Sequence, residues 1–125
     1  MIFFADTYAI IEILKGNESY KQYVNSVLMT TEFNLLEVSY ALVRDFGEEA
    51  ALEILKDIRN GFVIINEVKD EDFIKASSIR LKFKKLGKKL SLVDCLGYTL
   101  ALRFGIKFLT GDYEFKDIEN VEFVK

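Results

Sequence analysis

The chain contains no histidine, no proline, no tryptophan and only one cysteine. Without histidine, the Cys/His zinc constellations and every Ser-His or Cys-His catalytic arrangement are excluded. A single cysteine, Cys95, cannot form an intrachain disulfide, so stability must come from a packed core. Long apolar runs are missing too. The opening stretch MIFFADTYAIIEIL is interrupted by Asp6 and Glu12, has no basic leader, and falls short of the roughly 20 apolar residues that span a bilayer. A soluble, cytoplasmic protein with no membrane partner is expected. A net charge of -3 and a pI near 5.1 give the chain no general attraction for nucleic acid, although a local basic surface remains compatible with that balance.

What is present reads as one domain over residues 1–125, a length sufficient for a single hydrophobic core. No repeat, low-complexity tract or linker interrupts it. Short apolar runs rich in β-branched and aromatic residues predict strands at MIFFA (1–5), SVLMTT (26–31), FVII (62–65), IKFLT (106–110) and VEFV (121–124). Helical patterns fall between them at 7–15, 18–25, 34–46, 48–60, 70–86 and 91–104. Several of these stop at a glycine, which accepts the left-handed conformation of a helix end cheaply. Alternating strands and helices imply right-handed crossovers, hence a three-layer α/β/α domain with a mainly parallel sheet of about five strands.

Ligands of such sheets bind beyond the carboxyl ends of the strands. Asp6 directly follows MIFFA, Glu37 lies a turn into the helix after SVLMTT, and Asp112 follows IKFLT with only Gly111 between it and Thr110. Asp94 sits in LSLVDCLGYTLAL, one turn into a helix whose apolar face would desolvate it. Helix capping explains each acid singly: Ser91 with Asp94 and Asn34 with Glu37 fit capping boxes, and Asp6 and Asp112 fit simple N-caps. Capping does not explain why all four fall at one edge of the sheet. Four neighbouring carboxylates repel one another and raise each other's pKa unless a cation compensates. With the hydroxyls of Thr7, Ser91 and Thr110 nearby, the donors are all hard oxygens, which suit Mg²⁺ or Mn²⁺ over Zn²⁺ or Cu²⁺. Such a centre can activate water against a phosphodiester without histidine.

In order and spacing, Asp6 in FFADTYAIIEIL, Glu37 in TEFNLLEVSYAL, Asp94 in KKLSLVDCLGYTLAL, and Thr110, Asp112 and Phe115 in FLTGDYEFKDIENVEFV resemble the PIN-domain nucleases, most closely the VapC-like toxins of toxin-antitoxin pairs. The resemblance implies a Mg²⁺- or Mn²⁺-dependent endoribonuclease with Asp6, Glu37, Asp94 and Asp112 as its acidic quartet. Within it, Asp112 is the more variable member and Thr110 a supporting hydroxyl. It further implies an RNA substrate, a homodimer and a cognate antitoxin whose tail occupies the acidic groove. Apolar and aromatic residues of the first two helical stretches, Tyr8, Ile11, Leu14, Tyr20, Tyr23 and Val24, offer surface for such partners or simply core packing. A PIN nuclease of RNA processing and a catalytically silent RNA- or protein-binding module stay open as alternatives.

Charge is also distributed unevenly. No acidic residue lies between Asp72 and Asp94, whereas Lys75, Arg80, Lys82, Lys84, Lys85, Lys88 and Lys89 all fall there. Such a run is ordinarily a solvated helix face. The resemblance places Lys84, Lys85, Lys88 and Lys89 beside the active-site groove, where they would bind RNA phosphates without reading sequence.

Overall fold

A computed structural model describes all 125 residues. Five strands, β1 (Ile2–Ala5), β2 (Val27–Thr31), β3 (Val63–Ile65), β4 (Lys107–Thr110) and β5 (Val121–Phe123), form one sheet in the order β3-β2-β1-β4-β5. Every pairing is parallel. Five helices connect them: α1 (Thr7–Leu14), α2 (Glu32–Phe46), α3 (Glu48–Gly61), α4 (Asp70–Lys85) and α5 (Leu92–Phe104).

Alternation along the strands divides the core in two. Phe3, Ala5, Leu28 and Leu109 face α1, α2 and α3, where they pack with Ile10, Leu35, Val38 and Ile58. Phe4, Ile65 and Phe108 face the opposite layer and pack with Ala76 and Ile79 of α4 and with Leu96, Tyr98 and Leu100 of α5. A parallel sheet covered on both faces needs this pattern, because successive side chains point to opposite sides. The expected three-layer α/β/α architecture is therefore present, with a sheet that is parallel throughout.

Two expectations need correction. The stretch expected as a helix over 18–25 is a 3-10 helix, Glu18–Tyr23, capped by the Asn17 side chain. Tyr20 and Tyr23 within it are buried, so tertiary packing of two large rings sets its geometry rather than an amphipathic period. Tyr8 and Ile11 likewise pack against the core, which leaves only Leu14 and Val24 of the six residues as exposed apolar surface. The N-cap of α2 is Thr31, whose hydroxyl accepts from the Asn34 N–H at 3.2 Å, so Asn34 and Glu37 do not form a capping box. No helix is long and apolar enough to cross a membrane.

Candidate active site

Strand register assembles the site. β1 and β4 align Ala5 with Leu109, and the Asp6 N–H continues the ladder by donating to the Leu109 carbonyl at 3.2 Å. Asp6 thus lies beside Thr110, whose hydroxyl donates to one Asp6 oxygen at 2.5 Å, while the other oxygen accepts from the Ala9 N–H and caps α1. Thr110 also accepts from the Asp112 N–H at 3.1 Å, and Asp112 accepts from Glu114 N–H at the start of the 3-10 helix Tyr113–Phe115.

On the β2 side, a relay of side chains holds Glu37. Thr31 donates to the Asn34 side-chain oxygen at 2.6 Å, the Asn34 amide donates to the Thr7 hydroxyl at 3.1 Å, and Thr7 donates to Glu37 at 2.6 Å. Asn34 is fully buried, and its bridging role was not visible in the sequence beyond a threonine three residues earlier at a strand end.

Asp94 arrives from the opposite layer. Helix α5 lies against β1 and β4 because Gly97 leaves room for two rings: a Cβ there would come within 2.7 Å of Phe4 and 3.1 Å of Phe108. Asp94, one turn earlier on the same face, is thereby delivered to the carboxyl ends of those strands. It forms a capping box, with Ser91 and Asp94 each accepting from the other's backbone N–H. Capping and site membership are therefore not alternatives. Asp6 and Asp112 cap the helical turns that follow β1 and β4, and Asp94 closes the capping box of α5, which runs back to feed β4 and so starts at the same edge of the sheet.

Charge links the acids in a series, Asp6 with Asp94 and Asp112, and Asp94 with Asp112 and Glu37. Burial pushes the Asp6 carboxyl up to about 8; the hydrogen bonds from Thr110 and Ala9 oppose that rise, and the charges of Asp94 and Asp112 add to it. Burial likewise raises Asp94, against its Ser91 hydrogen bonds, and the charges of Asp112 and Glu37 push the same way. As the side chains stand, no three metal-ligating groups converge closely enough to hold an ion together. Each carboxylate is instead turned to its own hydroxyl or helix start, the arrangement expected of like charges. Cys95, beside Asp94, is buried in the core and its thiol is pushed up to about 11 by burial, so it is no nucleophile at neutral pH.

Lys84, Lys85 and Lys89 are exposed and Lys88 is half-buried, on the end of α4 and the loop before α5, and none is ion-paired with the four acids. The larger surface concavities are lined by other residues, so the acids occupy an open edge and not an enclosed small-molecule pocket.

No curated protein matches the sequence. Among solved structures, the fold is similar to Mycobacterium tuberculosis VapC20, described as a sarcin-ricin loop cleaving toxin, at TM-score 0.78 and 21% identity with 100% of each chain covered. It is similar to VapBC2 of Rickettsia felis, bound to a DNA fragment of its promoter, at TM-score 0.77 and 20% identity, again over 100% of each chain. VapBC-1 of nontypeable Haemophilus influenzae follows at TM-score 0.76 and 17% identity, covering 98% of this chain and 96% of that one. A family model for the PIN domain matches residues 3–121, from within β1 to the start of β5, and the chain belongs to the PIN domain family.

Proposed function

We propose that this protein is a divalent-metal-dependent endoribonuclease and the toxin of a toxin-antitoxin pair. The observation that carries the proposal is Asp6: a carboxylate 2% exposed, at a strand end, raised further by the charges of Asp94 and Asp112, and with no cationic side chain bonded to it. A buried acid in that setting is stabilised either by a proton or by a cation. PIN family membership and the likeness in fold to VapC proteins support the nuclease and toxin reading, and VapC20 supplies the RNA precedent.

The donor chemistry fits a hard cation. Asp6, Asp94 and Asp112, with Glu37, would hold Mg²⁺ or Mn²⁺ through hard carboxylate oxygens. When bound, such a cation supplies Lewis-acid stabilisation of the phosphoryl group and a lowered pKa for water. The chain's own residues do the rest. Thr110 fixes the Asp6 carboxylate and the Asp112 backbone at once, so two acids share one rigid support. The Thr31–Asn34–Thr7 relay presents Glu37, half-buried, as a proton acceptor aimed from the β2 side. Lys84, Lys85, Lys88 and Lys89 would hold flanking phosphates, and the open edge admits a polymer. The toxin reading also carries a homodimer and an antitoxin, whose arginine or lysine would neutralise the same acids that the metal does.

The test is incubation of the purified protein, freed of copurifying partners, with labelled single-stranded and structured RNAs in Mg²⁺, Mn²⁺ or EDTA, alongside Asp94→Asn. Metal-dependent cleavage that the variant lacks is expected. Cleavage that survives EDTA, or that Asp94→Asn retains, contradicts the proposal.

A further inference from the structure

The proposed reaction leaves one cation at the site unexplained. Lys125 lies against the turn that carries Asp112: its ammonium donates to the Gly111 carbonyl at 3.3 Å and sits over two aromatic faces, 4.2 Å from the Tyr113 centroid and 5.1 Å from that of Tyr8. Those rings are not neutral scenery. Tyr8 is two residues beyond Asp6, and Tyr113 directly follows Asp112, so the lysine is bracketed by the flanking residues of two site acids. No carboxylate ion-pairs with it.

The placement is built into the fold. Gly111 gives the room: a Cβ there would meet Tyr8 at 2.3 Å and the Val124 carbonyl at 2.4 Å, so only glycine lets the ring and the final strand close over this turn. The strand end is then fastened on both sides. Val124 N–H donates to the Thr110 carbonyl at 2.9 Å, and the buried Tyr20 hydroxyl donates to the Val124 carbonyl. A flexible side chain ordinarily loses considerable rotamer freedom when it grips a ligand, and two ring faces plus a carbonyl reduce that loss by ordering it beforehand.

Resting on the nuclease reading, we infer that Lys125 is a phosphate-binding residue for the RNA strand at the acidic edge, with Tyr8 and Tyr113 as its positioning residues. A compact ammonium held without a counter-ion next to a phosphodiester-cleaving centre matches the backbone of a single strand. It adds affinity and salt dependence but no base preference. Tyr113 is 60% exposed, so its exposed ring surface leaves the ammonium reachable from solvent.

The test measures binding of a labelled single-stranded RNA by fluorescence anisotropy across a KCl series, in an Asp94→Asn background that keeps the strand whole, with cleavage kinetics in the otherwise unaltered chain. Lys125→Gln is expected to weaken binding at least about threefold and to reduce the salt slope by about 0.7, the share of one phosphate contact on a single strand. In cleavage it raises KM and leaves kcat nearly unchanged. Lys125→Arg restores both slope and KM. Tyr113→Phe, which keeps the ring face, behaves as the parent, and Tyr113→Leu moves toward Lys125→Gln. Thermal midpoints of the Lys125 variants and of Tyr113→Phe should be unchanged, which separates a contact with RNA from a strand anchor. If the parent binds RNA and Lys125→Gln keeps its affinity and slope, the phosphate role is overturned while the nuclease reading stands. If the parent neither binds nor cleaves any RNA, the nuclease reading fails and this inference fails with it.

Discussion

Two aspartates are buried almost equally in this protein, and they are treated in opposite ways. Asp72, 4% exposed in the first turn of α4, receives two hydrogen bonds from the Arg103 guanidinium at 2.9 and 3.0 Å and a third from the Lys69 N–H. Arg103 also donates to the Glu67 carbonyl, so the pair fastens the start of α4 to the end of α5. Asp6, 2% exposed at the end of β1, has a hydroxyl and one backbone N–H and no cationic partner. The first acid carries its counter-charge within the fold. The second has none, and burial pushes it up to about 8.

Neutralising each acid in turn should separate the two. Asp6→Asn should lower RNA cleavage by about a hundredfold or more, the scale on which loss of one electrostatic stabiliser acts, without destabilising the metal-free fold. Asp72→Asn should do the reverse in a denaturant titration, losing about 2 kcal/mol with kcat unchanged. That is below the loss typical of a fully buried pair because the Arg103 side chain is 33% exposed. Equal effects of the two changes on activity would erase the distinction.

An effect that is smaller for each pH unit follows from pH. The Asp6 pKa is raised on folding, so the native state holds a proton that the unfolded chain releases above about pH 4. The contribution of Asp6 to stability is therefore complete below that pH and is lost as pH rises through about 8. The metal-free protein should weaken relative to Asp6→Asn by up to about 1.4 kcal/mol per pH unit between those limits, read from urea midpoints. The smallest effect belongs to the relay on the β2 side. Thr7→Val removes the donor to Glu37 and the acceptor for buried Asn34, and should slow cleavage about tenfold while lowering stability by about 1 kcal/mol.

The contrast also marks how far the sequence can be read. All five strands were legible because each is a short apolar run closed by a polar residue. Three of the candidate site acids stood out because they fall just past such runs or, for Asp94, inside an apolar helix. What the sequence does not display is pairing at long range. Asp72 looks like one more charge in DEDF until Arg103, 31 residues on, is folded against it. Asn34 reads as a cap because the true cap, Thr31, belongs to the end of the strand before it. The tyrosines of the 3-10 helix read as one face of an α-helix, and only their partners, Phe3 for Tyr23 and the Val124 carbonyl for Tyr20, show why the segment winds more tightly. Lys125 is an unremarked charge until the register of β5 on β4 brings it to Gly111.

Whether a divalent cation takes the place that Asp6 otherwise gives to a proton can be read from calorimetric titration of Mg²⁺ or Mn²⁺ into the metal-free protein at neutral pH. Buffers of different ionisation enthalpy report the protons released. Metal binding accompanied by proton release, most of it lost in Asp6→Asn, is expected of this exchange. Binding with no proton release, or no metal binding at all, would contradict it.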